Sequence, residues 1–502
     1  MASGTPNGSV GTISINSVPP FAAPSVRSGP IQIPVTVGTP PNAQDTAGVL
    51  LFGGQDSSQT VAPTPEIYDT TSKQVVPTAA PVFASVGNST TLLQNGDILI
   101  AGGSTVLSQH PDEQPSPVIN QAQLFHPTTR TFSATGSMNV ARRDHTATLL
   151  PDGKVLITGG QDNLGGPTNS AELYDPATGK FTQTDSMIEG RRLHTASLIS
   201  QPGQGVEVVV YSGVAAGVID QRAEYWKEDT GAFSPYSAMA SAQLGFPQPV
   251  PLRVPPDGSL EPAIVGGFNN NGQPLPTELT ISPATLDFRD GLNLKVARFH
   301  HTLTALPALN ELIVIGGTNG TQALNTAEIR GADGWKLASG SAGCPQGCLN
   351  TARSSHTATL LPDGTVLVAG GIDQDNSIIA GTEIYYPASN AFTLGPQASL
   401  RALHSATLFA TSTTTINASP NPASSGQSVM MSATVSSLTG TPAGSVQFFD
   451  GSTLLSSTPL SNGQASLTTK TLSTGSHSIT AVYSGNGIPA ASKSDAVTEV
   501  IK

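Results

Sequence analysis

The sequence predicts an all-β protein: seven four-stranded sheets set radially as a β-propeller, then a C-terminal β-sandwich. Three observations predict it. Gly-Gly pairs ending apolar runs recur at 53–54, 102–103, 159–160, 266–267, 316–317 and 370–371, with a degraded copy, Ser212-Gly213, between the third and fourth. Successive copies stand 49 to 57 residues apart, a period of propellers and solenoids. No segment carries a helical period at length, so a horseshoe or parallel α/β fold is not expected.

Each copy reads as four strands. The clearest is HTATLLPDGKVLITGG at 145–160, followed by AELYDP at 171–176 and Phe181. HTATLLPDGTVLVAGG at 356–371, TEIYYP at 382–387 and Phe392 repeat it almost unchanged. HTATLL is the first strand. Pro-Asp-Gly is a tight turn whose Gly takes a positive φ. KVLITGG is the second strand, AELYD the third, and the segment around Phe181 the fourth. One such unit buries too little to stand alone, so several pack around an axis. Seven glycine strands give seven blades. The first, GVLLFGG at 48–54, has no HTATLL strand before it, and an unmatched RALHSATLF stands at 401–409. This late strand is expected to complete blade one and close the ring, which removes exposed strand edges.

Residues 411–502 lack the blade motif, are Ser/Thr-rich and split into seven alternating runs: TTTINAS, SVMMSATVSS, SVQFFDG, TLLSSTPL, QASLTTKTL, HSITAVYSG and DAVTEVIK. Such runs between Gly, Pro and Asn turns predict an Ig-like sandwich. Residues 1–45 are Pro/Gly-rich, with VGTISINSV and PIQIPVTV as candidate strands. They are expected to form a linker or an edge strand on the propeller. The organisation is then 1–45, a propeller at 46–410 and a sandwich at 411–502.

The blade unit resembles kelch repeats, and LLPDGKVLITGG is close to the pattern in the propeller of galactose oxidase and its relatives. That resemblance covers about 48–410. In the tail, SVQFFDGSTLL and GSHSITAVYSGN resemble bacterial Ig-like domains found in tandem on secreted and surface proteins. The resemblance implies a seven-bladed kelch propeller plus an Ig-like domain. It implies no single function, because kelch propellers include enzymes, adaptors and adhesins. Galactose oxidase relatives hold copper with two Tyr and two His, one Tyr being linked to a Cys. In them a Tyr directly precedes the His at the start of an innermost strand. The equivalents here are Asp144, Leu193, His300, Ser355 and Leu403, none of them Tyr. A copper-radical centre is not expected, and no other cofactor is implied.

Composition narrows the function. Charged residues are 11%, against about 25% in an average soluble protein. The net charge of -12 argues against nucleic-acid binding and attraction to anionic lipid. No run of about 18 apolar residues predicts a membrane-spanning helix. Few lysines, low charge density and abundant Ser/Thr favour an extracellular or cell-surface protein, although MASGTPNGSV lacks the regions of a signal peptide. The only cysteines, Cys344 and Cys348, are a disulfide candidate, since no second pair offers a zinc site its other ligands.

A residue present in every blade is structural by default, and function more often breaks the pattern. Glu recurs in the third strand at 66, 172, 224, 278, 328 and 383, with Gln123 in blade two. Structural hydrogen bonding is expected of it, rather than the paired acid and base of a glycosidase. Trp226 and Trp335 are expected to pack. Arg-x-x-His occurs as Arg142/His145, Arg191/His194, Arg298/His301, Arg353/His356 and Arg401/His404, just before the innermost strand. Arg143 and Arg192 adjoin two copies, and blades two and five lack the motif. The functional expectation is a lopsided cationic ring at one mouth that binds carboxylates, because guanidinium pairs with them bidentately. The structural alternative has each Arg tying blades through carbonyls or the third-strand Glu. Asn/Asp-rich loops after the glycine strands are expected to flank the same face. Asp373 and Asp375 are a calcium candidate without the Gly-x5-Glu continuation.

The function these features favour is binding or adhesion, with a polar or anionic glycan or protein as the ligand at that face. One alternative is an extracellular carbohydrate-active enzyme, a lyase or oxidase-like protein, using the same mouth. The other is a matrix or filament subunit that self-associates in a surface layer.

Overall fold

The computed structural model describes residues 47–56, 61, 64–105, 117–201, 205–215, 218–220, 222–236, 249–253, 260–281, 288–331, 333–338, 348–437, 441–484 and 492–502. The two candidate N-terminal strands, most of the long blade-two loop and most of the blade-five segment that lacks Arg-x-x-His lie outside these residues.

Seven four-stranded antiparallel sheets are present. In six of them the strands follow chain order from the axis outwards. Blade one is the exception: Gln74–Pro77, Glu66–Asp69 and Ala47–Phe52 are completed on the inside by Ser405–Ala410. The two ends of the propeller chain pair in register from Ala47↔Ala410 to Phe52↔Ser405. The late RALHSATLF segment is thus innermost, as its missing partner in blade one predicted. The innermost strands of successive blades lie side by side all the way round, so the ring is closed.

The glycine strands are apolar without alternation because both of their faces are covered. In blade three, Val155 and Ile157 pack with Leu99 and Ala101 of blade two. Leu156, between them, packs with Val208, Val210 and Trp226 of blade four. Similar layers fill the other gaps between neighbouring blades. The core is therefore a set of radial layers rather than one central mass. Trp226 and Trp335 are buried in it, as expected.

Each of the seven runs in the tail becomes a strand. Ser412–Ser419, Val429–Ser437 and Gln464–Thr469 form one sheet. Thr453–Pro459, Ser445–Asp450, Gly475–Tyr483 and Val497–Ile501 belong to the other, with a two-residue strand, Ser492–Lys493, that the sequence did not announce. Met431, Val446, Phe448, Ile479 and Tyr483 fill the space between the sheets.

Candidate ligand-binding face

The five motif arginines are buried, and each clamps a Glu of its own blade. Arg142 shows the pattern. Its Nη2 donates to Glu172 Oε1 at 2.8 Å, and Nη1 donates to the carbonyls of Gly159 at 2.8 Å and Ser170 at 2.9 Å. Glu172 also accepts from the backbone N–H of Asn139 at 2.7 Å and of Val140 at 3.0 Å. The carboxylate thereby pins the crossover arriving from blade two, while the guanidinium pins the ends of the loop between the second and third strands. Arg191 with Glu224, Arg298 with Glu328, Arg353 with Glu383 and Arg401 with Glu66 repeat the ion pair.

The Gly-Gly pair is the other half of the same joint. A Cβ on Gly159 would stand 2.5 Å from the Arg191 carbonyl oxygen and 2.7 Å from His194 Cε1 of the next blade. Its neighbour Gly160 donates its N–H to that Arg191 carbonyl at 2.9 Å. Gly102, Gly266, Gly316 and Gly370 meet the next blade's Arg and His in the same way. Blade five has no Arg-x-x-His, and the residue that would face it is Ser212, at φ 60. Gly53 is kept against blade two, where the Ser85 carbonyl oxygen would stand 2.0 Å from its Cβ, so the close backbone carbonyl as well as the histidine edge calls for glycine; the degraded copy faces blade five.

The motif histidines are buried as well. His145 Nε2 bonds Ser89 Oγ at 2.8 Å, His356 Nε2 bonds Thr302 Oγ1 at 3.1 Å, and His404 Nε2 bonds Thr357 Oγ1 at 2.8 Å. His194 bonds Thr146 and Thr158. Burial pushes His194 and His301 down to about 3, and holds His145, His356 and His404 well below the ordinary value. These groups stay neutral when folded, whereas the unfolded chain takes up their protons below about pH 6.5. Stability is therefore full above pH 6.5 and lost as the pH falls towards 3, at about 1.4 kcal/mol per pH unit for each such histidine. Urea unfolding between pH 7 and 4.5 should show the decline, and His404→Asn should flatten its slope.

Blade two replaces the whole charged set at once. Ser85, Asn88 and Gln123 stand where its neighbours carry Arg, His and Glu. Gln123 accepts from the Val82 N–H at 2.8 Å and donates to the Phe83 carbonyl at 2.7 Å, so the crossover is still pinned without charge. Blade five keeps Glu278 without its Arg. Glu278 instead accepts from Trp335 Nε1 at 2.7 Å and pairs with Arg330 at 3.3 Å, both from blade six.

Arg142, His145, Arg191, His194, Arg298, His301, Arg353, His356, Arg401 and His404 are thus interior residues. They do not form the exposed cationic rim expected of them. Arg143, Arg192, Phe299, His300 and Ser354 are partly exposed, and all five come from the two residues between each Arg and His. The second of these takes a left-handed backbone: Asp144 (φ 56), Leu193 (φ 56), His300 (φ 53), Ser355 (φ 54) and Leu403 (φ 56), with Gly87 in blade two. Their amides chain round the axis, Asp144 N–H to the Gly87 carbonyl at 2.8 Å and Leu193 N–H to the Asp144 carbonyl at 3.0 Å. Ser355 to His300 and Leu403 to Ser355 continue the pattern. The first residue varies freely: Val86, Arg143, Arg192, Phe299, Ser354 and Ala402. It bridges to the residue that follows Gly-Gly in its own blade, as in Arg143↔Gln161, Arg192↔Val214 and Phe299↔Thr318. The loops after the glycine strands therefore border the same face, as expected.

This face is uneven. Across blades one, two and seven it is capped by Val86, Ala402 and Leu403 with Val61, Ile372 and Ile378. Across blades three and four it carries the guanidinium groups of Arg143 and Arg192. Arg143 Nε donates to Gln161 Oε1 at 2.8 Å and lies 3.7 Å from Asp144 Oδ2. Burial draws Arg192 below its usual range, Asp144 opposes this, and the like charge of Arg143 adds to it. Across blades five and six stand Phe268 and Phe299, ring centroids 5.2 Å apart, with His300 against Phe299 at 4.6 Å. All three are half-buried. Sequence reasoning named Arg143 and Arg192 but not the aromatic pair. Variation inside an otherwise fixed Arg-x-x-His frame was the signal that marks Phe299.

Two other candidates take structural roles. Asp373 Oδ1 accepts from the N–H groups of Asp375 at 2.9 Å and Ser377 at 2.8 Å, closing its own loop. Asn269 and Asn319 close the sister loops in the same way without a charge, so the turn does not call for calcium. Cys348 is disulfide-bonded, and Cys344 lies outside the described residues. On blade two, His126 bonds Asp97 at 2.8 Å and Ser133 at 2.7 Å. Blade four fills that register position with Lys227 and Glu207 at 3.2 Å, which makes the trio a strand-end pair rather than a nucleophile and its base.

A model of the Kelch motif matches residues 142–188, and a model of the bacterial Ig-like domain (group 3) matches residues 414–502. The chain thus carries a Kelch motif within its ring of four-stranded sheets and a bacterial Ig-like domain at its C-terminus. Among solved structures, one described as that of YjhT is similar at a TM-score of 0.45 and 11% identity, over 62% of this chain and 97% of that one. No curated protein matches the chain. Among the described residues no helix is long and apolar enough to cross a membrane.

Proposed function

We propose that this is an extracellular or cell-surface binding protein whose propeller mouth takes an anionic ligand at Arg143 and Arg192. The observation that carries the reading is the split between a fixed, buried Arg/His frame and the variable residues it presents. Two guanidinium groups arrive on neighbouring blades, and among the described residues Asp144 is the carboxylate that Arg192 feels. A guanidinium pair so poorly compensated favours a bound carboxylate or other planar anion. The bacterial Ig-like domain supports a place outside the cell, where such modules serve as spacers.

The test is titration calorimetry of the full chain with polygalacturonate, poly-L-glutamate and dextran at low salt. The two polyanions should bind and dextran should not. Arg143→Ala/Arg192→Ala should lose at least tenfold in affinity for both polyanions while unfolding at the same temperature as the parent, since neither side chain belongs to the buried clamps. The reading is wrong if the parent binds neither polyanion, or if the double variant binds them unchanged.

A further inference from the structure

Resting on the anionic reading of the mouth, we infer that the ligand is an acidic polysaccharide, with its carboxylates on Arg143 and Arg192 and a sugar ring on the Phe268–Phe299 shelf. Three observations link the shelf to the arginines. Phe299 occupies the same position in the repeat frame as Arg143 and Arg192, and bridges to its blade in the same way. The loop that follows Arg192's bridge is tied to the loop that begins at Phe268, through the Ile219 N–H to Asn270 Oδ1 at 2.8 Å. The blade-five and blade-six loops then meet at Pro274 and Gly320. The described loops of blades four, five and six are therefore linked in turn, with the two cations at one end and two tilted, half-buried rings at the other.

The chemistry separates a glycan from an acidic protein. The less polar face of a sugar ring presents C–H bonds, which are attracted to the electron-rich face of an aromatic ring. A uronate carries this face and a carboxylate on the same residue, which suits a site that offers both partners within one rim. A run of acidic side chains supplies carboxylates alone and would leave the shelf unused.

The experiment compares polygalacturonate with poly-L-glutamate on the parent, on Phe268→Leu/Phe299→Leu and on Phe299→Trp. Leucine keeps the apolar volume, so the fold survives while the ring faces go. The parent should bind polygalacturonate more tightly per carboxylate. The leucine pair should lose about tenfold for polygalacturonate and nothing for poly-L-glutamate, while the tryptophan variant retains or gains affinity. Equal affinity of the parent for both polymers, or a leucine pair that binds polygalacturonate unchanged, overturns the glycan inference and leaves the anionic reading standing. A preference for poly-L-glutamate overturns it in favour of an acidic protein. Loss of both polymers on Arg143→Ala/Arg192→Ala, with the leucine pair silent, separates the two ideas.

Discussion

Arg353→Ala is expected to destabilise the propeller by about 3–5 kcal/mol, the usual consequence of leaving one partner of a buried ion pair unmatched. Arg353 is 1% exposed, and its Nη2 lies 2.6 Å from Glu383 Oε1. Its Nη1 also satisfies the carbonyls of Gly370 at 2.9 Å and Gly381 at 3.1 Å. Removing it strands a carboxylate that is fully buried and two carbonyls at a loop neck. Arg142→Ala should behave alike, because its environment is the same. Chemical unfolding followed by tryptophan fluorescence reports this directly, since Trp226 and Trp335 lie in the propeller layers. A sharper form of the test copies blade two. Arg353→Ser, Glu383→Gln and His356→Asn together install the neutral set, and the triple variant should be more stable than Arg353→Ala alone. If it is no better, charge compensation is not what holds the clamp.

The second large effect is expected at the glycine joints. Gly370 has φ +61, and a Cβ there would lie 2.2 Å from the Arg401 carbonyl oxygen and 2.9 Å from His404 Cε1. Gly364 has φ +81 but nothing within 4 Å of its Cβ position. Gly364→Ala should therefore cost only the left-handed backbone, about 1–2 kcal/mol. Gly370→Ala adds a collision with backbone and with a packed imidazole, and should cost several kcal/mol more. It falls between blade seven and the inner strand that completes blade one, so it should also raise proteolytic cleavage in the first and last blades. Comparable melting temperatures for the two alanine variants would show that the joint relaxes freely.

Much of the fold was legible because propeller packing writes itself into the chain repeatedly. A strand covered on both faces must be apolar throughout, and VLITGG and VLVAGG say so. The close of the ring was legible from arithmetic, one inner strand missing at 48–54 and one spare at 401–409. The site was less so. Sequence placed Arg142 and its equivalents near the axis, but position along a strand does not tell whether a side chain points out of the mouth or back into the blade. The decisive clue was present in the composition of single blades. Gln123 accompanies the absence of Arg in blade two, which is what an Arg–Glu clamp requires and what a ligand site does not. Glu278 obscured it, since blade five keeps the acid and borrows Arg330 and Trp335 from its neighbour. The pairing of Phe268 with Phe299 was invisible because they lie apart in sequence and meet only when adjacent blades bring their loops together.

A single residue, Thr411, separates the strand Ser405–Ala410 from Ser412–Ser419 of the Ig-like domain. The segment that latches the circle is thus spliced in series with the Ig-like domain. Tension applied there has no slack to take up and arrives at the latch at once. A ligand bound at the mouth as proposed would accordingly be coupled to any pull on the Ig-like domain.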